Sequence, residues 1–226
     1  MNDQKYITNL ENIIKQMLCP LKNIPLGLVI EGISGKRIIP FNATNPKDKR
    51  LLSNLIKTAN LVGVEINKLG IKRSRPNEVG NDIEPFVKRQ LNKMGYKADT
   101  PKSKNGKKKS MGYPDIEFID HDGRANYLEC KTYNLENINS AQRSFYLSPS
   151  EEFKITTNAH HLIISYEIYV AGRKAKLNVY KCKSWKIVSA EKLNVDVKYE
   201  FNSDNDRMYK TELILAEGDI LTKGRV

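Results

Sequence analysis

Apolar residues recur along this chain with a helical period in its first half and a strand-like period in its second. Tyr6, Ile7, Leu10, Ile13, Ile14 and Met17 stand three or four apart, the face of an amphipathic helix over 3–18 that Pro20 ends. Residues 28–39 predict a hairpin, with Leu28-Val29-Ile30 and Ile38-Ile39 on either side of a Ser34-Gly35-Lys36 turn. Helical spacing returns at Leu51, Leu52, Leu55, Ile56 and Val62, with Asp48 as the candidate cap and Gly70 as the stop. Residues 71–79 then form a basic connector. Ile83, Val87, Leu91 and Met94 are the buried stripe of the next helix, and Glu84 lies at its edge. Proline fits a first turn, so Pro85 predicts a start near Asp82 and Gly95 an end.

From there the period shortens to two. Asp122-Gly123 is a turn signal between two alternating runs, about 115–120 and 125–131, which predict a hairpin. The apolar run over 158–170 predicts a buried strand, bounded by His160 and His161. Residues 177–180, 185–188, 193–201 and 208–215 predict a β-rich C-terminal portion, in which Val195, Val197, Tyr199 and Phe201 alternate. The pattern as a whole predicts an α/β fold in a single domain over 1–226.

Composition narrows the class. Lys and Arg number 38 against 26 Asp and Glu, a formal charge of +12, which points to a polyanionic partner. No apolar run approaches the roughly 20 residues of a membrane span, so a soluble cytosolic protein is expected. Cys19, Cys130 and Cys182 form no CxxC pair, which argues against a zinc site or a disulfide framework. His160 and His161 are adjacent and face opposite ways along a strand, which does not suit a shared metal.

Chemistry concentrates in the predicted hairpin. Side chains two apart on a strand share a face, roughly 6.5 Å from each other, so Glu129 and Lys131 point one way while Leu128 and Cys130 point into the sheet. Asp115 opens the neighbouring strand, where its carboxylate can converge with that of Glu129. Two carboxylates and an ammonium on one rim suit a hard divalent cation and an activated water. An acidic residue two before a lysine also occurs at Asp3-Gln4-Lys5, Glu152-Phe153-Lys154 and Asp196-Val197-Lys198. Only Glu129 lies one hairpin after the chain's single Pro-Asp step, Pro114-Asp115. The bland alternative is a surface hairpin with an ordinary ion pair.

Pro114-Asp115 followed by Glu129-Cys130-Lys131 resembles the signature of the PD-(D/E)XK nuclease superfamily. The resemblance in residues covers about 78–131, and the rest is layout. It implies a restriction-endonuclease-like core, with a central mixed β-sheet flanked by helices, and a Mg²⁺ ion held by Asp115, Glu129 and the backbone carbonyl of Cys130. It also implies that Lys131 orients the attacking water, and that a glutamate on the preceding helix, Glu84, supports the site. Glu78 competes for that last role but is expected to lie outside the helix. Size and element order are similar to bacterial type II restriction endonucleases, which implies a homodimer cutting double-stranded DNA at a palindromic site and a companion DNA methyltransferase. Two rivals stay open: a structure-specific repair or junction-resolving nuclease of the same fold, and a non-catalytic basic DNA-binding protein.

Candidate DNA contacts lie on either side of the hairpin. Residues 101–110 are expected to be a mobile loop whose Lys102, Lys104, Lys107, Lys108 and Lys109 can meet phosphates. Ser140, Gln142 and Arg143 come after the catalytic strand, and the Gln142-to-Tyr146 spacing resembles a helix motif in the exonuclease branch of the superfamily. Asn202 and Asn205 are candidates for base edges, although Asn and Asp are also ordinary turn formers.

Overall fold

The computed structural model describes residues 3–19, 21–134, 145–198, 205–208, 210 and 213–214. The chain divides into two units, one spanning Asn23–Val195 and the other made of Met1–Lys22 with Asp196–Val226. In the larger unit, β5 (Ala125–Tyr133) is the axis. It pairs antiparallel with β4 (Ile116–Ile119), as the Asp-Gly turn predicts, and parallel with β6 (His160–Lys174). The sheet is completed by β7 (Leu177–Ser189) and β2 (Ile71–Arg73) beyond β6, and by β3 (Lys97–Asp99) beyond β4. The result is a mixed six-stranded sheet, ordered β2-β7-β6-β5-β4-β3.

Helices α3 (Pro46–Leu69) and α4 (Val79–Lys93) cover one face. Leu55, Val62, Ile83 and Val87 pack there against Leu128, Cys130, Ile164 and Tyr166. On the other face a second cluster joins Leu26 and Ile30 of α2 (Leu26–Ser34) to Tyr113, Tyr127 and Ile155. Strand β5 is therefore buried on both sides from Asn126 to Cys130, and Glu129, only 4 % exposed, sits in a recess rather than on an open rim.

Several elements differ from the sequence reading. The apolar run at 26–34 is helix α2, not the first strand of a hairpin. A run this short carries no decisive period. Burial of Leu26 and Ile30 one turn apart selects the helix, and Gly35, at φ 67°, ends it by donating to the Glu31 carbonyl. Helix α3 is capped by Asn45, whose side chain accepts the Lys47 N–H at 2.8 Å ahead of Pro46. Asp48 is instead buried inside its first turn.

The connector at 71–79 contains β2 and a 3₁₀ turn, Pro76–Glu78, and α4 starts at Val79 rather than Asp82. Pro85 consequently lies inside the helix. Burying Val79 extends the apolar stripe by a turn and offsets the hydrogen bond Pro85 cannot donate.

The lysine-rich segment is laced rather than open. Ser103 N–H donates to the Lys107 carbonyl at 2.8 Å, and Lys104 N–H to the Phe153 carbonyl at 2.9 Å. The two runs at 177–180 and 185–188 are one strand, β7, paired along β6. The alternation at 193–201 yields only β8 (Asn194–Val195), paired with β1 (Ile24–Pro25), with no strand at 196–198. Where strand was expected from 208, Asn205–Met208 form a short helix, α5, and most residues after Met208 lie outside the described ones.

In the smaller unit, α1 (Asp3–Met17) forms as its period predicts. Its apolar stripe, Tyr6, Ile7, Leu10, Ile13 and Ile14, is exposed rather than packed into a core. No described helix is long and apolar enough to cross a membrane.

Candidate active site

Ile116 pairs with Leu128 across the β4–β5 hairpin, and one further step in that register sets Asp115 across from Glu129. The hairpin closes through a three-residue loop in which Asp120 N–H donates to the Arg124 carbonyl and Gly123 takes φ 75°. Asp115 Oδ2 accepts the Cys130 N–H at 2.8 Å, which locks the end of β4 against β5. Lys131 Nζ donates to Glu129 Oε1 at 2.6 Å. Glu129 Oε2 is buried and accepts no hydrogen bond among the described residues.

The electrostatics follow from burial. Desolvation, followed by the charge of Asp115, pushes the Glu129 carboxyl up to about 7, against the pull of Lys131 and Lys154. Asp115 is also raised, chiefly by burial and with help from Glu84, although the Cys130 N–H, Lys131 and Lys154 oppose the shift. Two carboxylates with raised affinity for protons have a raised affinity for any cation. With only hard oxygen atoms free, the pair suits Mg²⁺, Mn²⁺ or Ca²⁺ rather than a soft metal. Among the described residues, no group of three His, Cys, Asp or Glu side chains could hold an ion. A site of two carboxylates completed by water fits the reluctance of Mg²⁺ to shed its hydration.

The other expected residues divide. Glu84 borders the cluster on the side of Asp115, salt-bridged to Lys88 at 3.0 Å, while Glu78 faces Ser74 and Arg73. The Cys130 thiol is buried in the core and raised well above its ordinary value, so only its backbone can serve the site.

Within the basic loop, Lys108 pairs with Asp99 and Lys109 with Glu152. Lys104 stacks over Phe153, the Lys102 amide meets Glu117, and Lys107 is exposed. Ser140, Gln142, Arg143 and Asn202 lie outside the described residues, and Asn205 is the first residue of α5 in the smaller unit.

Both adjacent histidines are buried at the start of β6 and, as expected, have different neighbours. His160 faces Asp48, whereas His161 Nδ1 is 2.7 Å from the Tyr113 hydroxyl. Burial pushes His161 down to about 3, so it is a neutral post that anchors the residue before Pro114-Asp115.

One residue of the cluster was not singled out by sequence. Lys154 is 2 % exposed, and its charge acts on both Asp115 and Glu129. Its Glu152-Phe153-Lys154 spacing looks like the other chance acidic-x-Lys matches, and nothing local marks it out.

Comparison with known proteins adds an independent line. Residues 20–212 match the family model described as the type II restriction enzyme MjaV family. The chain is 43% identical over 235 residues to the type II restriction enzyme MjaV of Methanocaldococcus jannaschii, covering 97% of this chain and 100% of that protein. No solved structure matches.

Proposed function

Because the chain belongs to the type II restriction enzyme MjaV family, we propose that the cluster of Asp115, Glu129 and Lys131 is the centre at which this endonuclease hydrolyses double-stranded DNA, with Mg²⁺ as its ion. The observation that carries this reading is the convergence of two carboxylates beside Lys131, Asp115 half-buried and Glu129 buried with one oxygen unpartnered among the described residues. It supports membership of the PD-(D/E)XK superfamily and a restriction-endonuclease-like core.

Asp115, Glu129 and the Cys130 carbonyl would hold the ion, which supplies charge for the scissile phosphate and acidifies a bound water. On an extended residue the carbonyl points to the same side as the N–H. The Cys130 carbonyl therefore faces the side of Asp115, beyond the end of β4. Hydrolysis forms a bond from a water oxygen to phosphorus and breaks one ester P–O bond, through a transition state richer in negative charge. Lys131 answers that charge. Its Nζ is held by Glu129 Oε1, and its remaining protons are free to orient the water and meet a phosphate oxygen. Glu84, held by its pair with Lys88, sets a negative charge beside Asp115 at the near edge of the site.

Lys104, Lys107 and Lys109, on the loop that leads into the hairpin, supply phosphate contacts without sequence information. Cutting both strands of a palindrome takes two copies of the centre, so the protein acts as a homodimer, in the cytosol of a host whose own sites a DNA methyltransferase protects.

The test is digestion of a long plasmid or phage DNA with and without Mg²⁺, beside a Lys131→Ala control. Discrete fragments that need Mg²⁺ and vanish in the control are expected. A smear, or cutting of branched DNA alone, would instead mark a repair nuclease. Binding with no cleavage of any DNA would sink the catalytic assignment.

A further inference from the structure

An ammonium group buried without a hydrogen-bond acceptor costs several kcal/mol, so proteins rarely keep one unless something else meets it. Lys154 Nζ is such a group: it is buried and has no hydrogen-bond partner among the described residues. Three carboxylates act on it through space, those of Asp115, Glu129 and Glu84, but none comes within hydrogen-bonding distance. Burial lowers the ammonium below its ordinary value, and these carboxylates oppose that shift.

The position is built rather than accidental. On the N-terminal side of Lys154, the Phe153 carbonyl accepts the Lys104 N–H at 2.9 Å. On the other side Ile155 is buried in the second core cluster, and the Thr156 and Thr157 amides both donate to the Tyr127 hydroxyl, at 2.9 and 3.3 Å. Tyr127 is two residues before Glu129 on β5 and shares its face. The strand that carries the carboxylate thus also positions the lysine.

The two lysines of the cluster are not equivalent. Lys131 is already paired with Glu129 Oε1, whereas Lys154 and Glu129 Oε2 are both unsatisfied. A group that bridges an unsatisfied donor and a site of concentrated carboxylates must bring acceptor oxygens for the first and a cation for the second. A phosphodiester lying on a divalent ion has both. Lys109 also acts on Lys154, and two neighbouring ammonium groups favour an anion between them.

We propose that Lys154 is a further catalytic residue, which donates a hydrogen bond to a nonbridging oxygen of the scissile phosphate and holds it against the charge that develops on hydrolysis. This rests on the nuclease reading above.

Replacing a buried unpaired cation by an apolar side chain of similar size is neutral or stabilising when the cation serves no structural partner. Lys154→Met should therefore unfold at the same temperature as the wild type or higher. It should slow single-turnover cleavage of a duplex carrying the mapped site about 100-fold, as losing one transition-state donor does. Lys154→Arg should recover most of that rate. A phosphorothioate at the scissile position should slow the wild type for one diastereomer and slow Lys154→Met no further.

Cleavage by Lys154→Met within threefold of the wild type, with Lys131→Ala inactive, overturns this proposal and leaves the nuclease reading intact. A slow Lys154→Met that also melts several degrees lower makes the lysine a scaffold and likewise overturns it. A wild type that cuts no DNA overturns both.

Discussion

The two ends of the β4–β5 hairpin each hold a buried cluster of charge, and they are opposite in kind. At the turn, Asp48 and Asp120 close on Arg124. Asp120 accepts the Asp122 and Arg124 amides and the Arg124 Nε, each at 2.9 Å. Asp48 accepts the Asn42 N–H at 2.8 Å and pairs with Arg124. Burial pushes Asp48 up, but Arg124, the Asn42 amide and His160 outweigh it and leave the carboxyl below its ordinary value.

At the open end, Asp115 and Glu129 are raised, and neither Glu129 Oε2 nor Lys154 Nζ has a hydrogen-bond partner among the described residues. The same hairpin carries one cluster in which every charge is ion-paired, although Arg124 Nη2, 2.8 Å from Asp120 Oδ2, makes no hydrogen bond, and one in which Lys154 has no ion pair among the described residues. Saturation is what a structural ion cluster needs, because every buried charge must be met within the fold. An incomplete cluster is stable only as far as the rest of the fold over-determines it, and under the proposed reading ion and substrate would complete it.

Four predictions test this contrast. The largest effect belongs to the open end: Lys131→Ala should reduce cleavage at least about 1,000-fold in a single-turnover assay while unfolding like the wild type. Loss of both activity and several degrees of melting temperature would make the open end structural after all. At the turn, Arg124→Met leaves two buried carboxylates facing each other and should destabilise the protein by about 3 kcal/mol in urea. Its cleavage rate per folded molecule should stay close to the wild-type value.

The third concerns pH. Glu129 has a raised folded value, about 7 against an ordinary 4.5, so its neutral form favours folding and its ionised form opposes it. Without metal, the wild type should therefore lose stability, by up to about 3 kcal/mol, as pH rises from about 4.5 through 7. Denaturation in EDTA across that window should show Glu129→Gln without this loss, and equal slopes in the two proteins would remove the argument from burial. The smallest effect is expected at the rim. Glu84→Gln should slow cleavage about tenfold, at the lower end of what a group acting through a metal ligand contributes, and Glu78→Gln should not slow it at all. Parity between the two in a rate assay would take Glu84 out of the site.

Much of the open end was legible beforehand, because its parts are local. An Asp-Gly turn between two alternating runs sets the register, and the register sets Asp115 opposite Glu129. Helices α3 and α4 were legible from period alone, since each buries a stripe long enough for 3.6 residues per turn to stand out. Helix α2 was not: nine residues of mostly apolar sequence fit either period, and burial against Tyr127 and Ala190 decided between them. Likewise, Gly/Ser-containing lysine-rich sequence suggests an open loop, and only the backbone of Phe153 laces it down.

By itself, then, the sequence determined the hairpin, its turn and the order in which two carboxylates and a lysine share a face, because those depend on residues within one turn or one strand pair of each other. Only the tertiary structure decided that Glu129 is buried, that Arg124 is ion-paired with Asp48 and Asp120 at one end of the hairpin, and that Lys154 stands at the other without a hydrogen-bond partner among the described residues. The physical reason is distance along the chain. Desolvation and unpaired charge are properties of everything packed around a group. For Lys154 that includes Tyr127 and Glu129, brought to it by the pairing of β5 with β6.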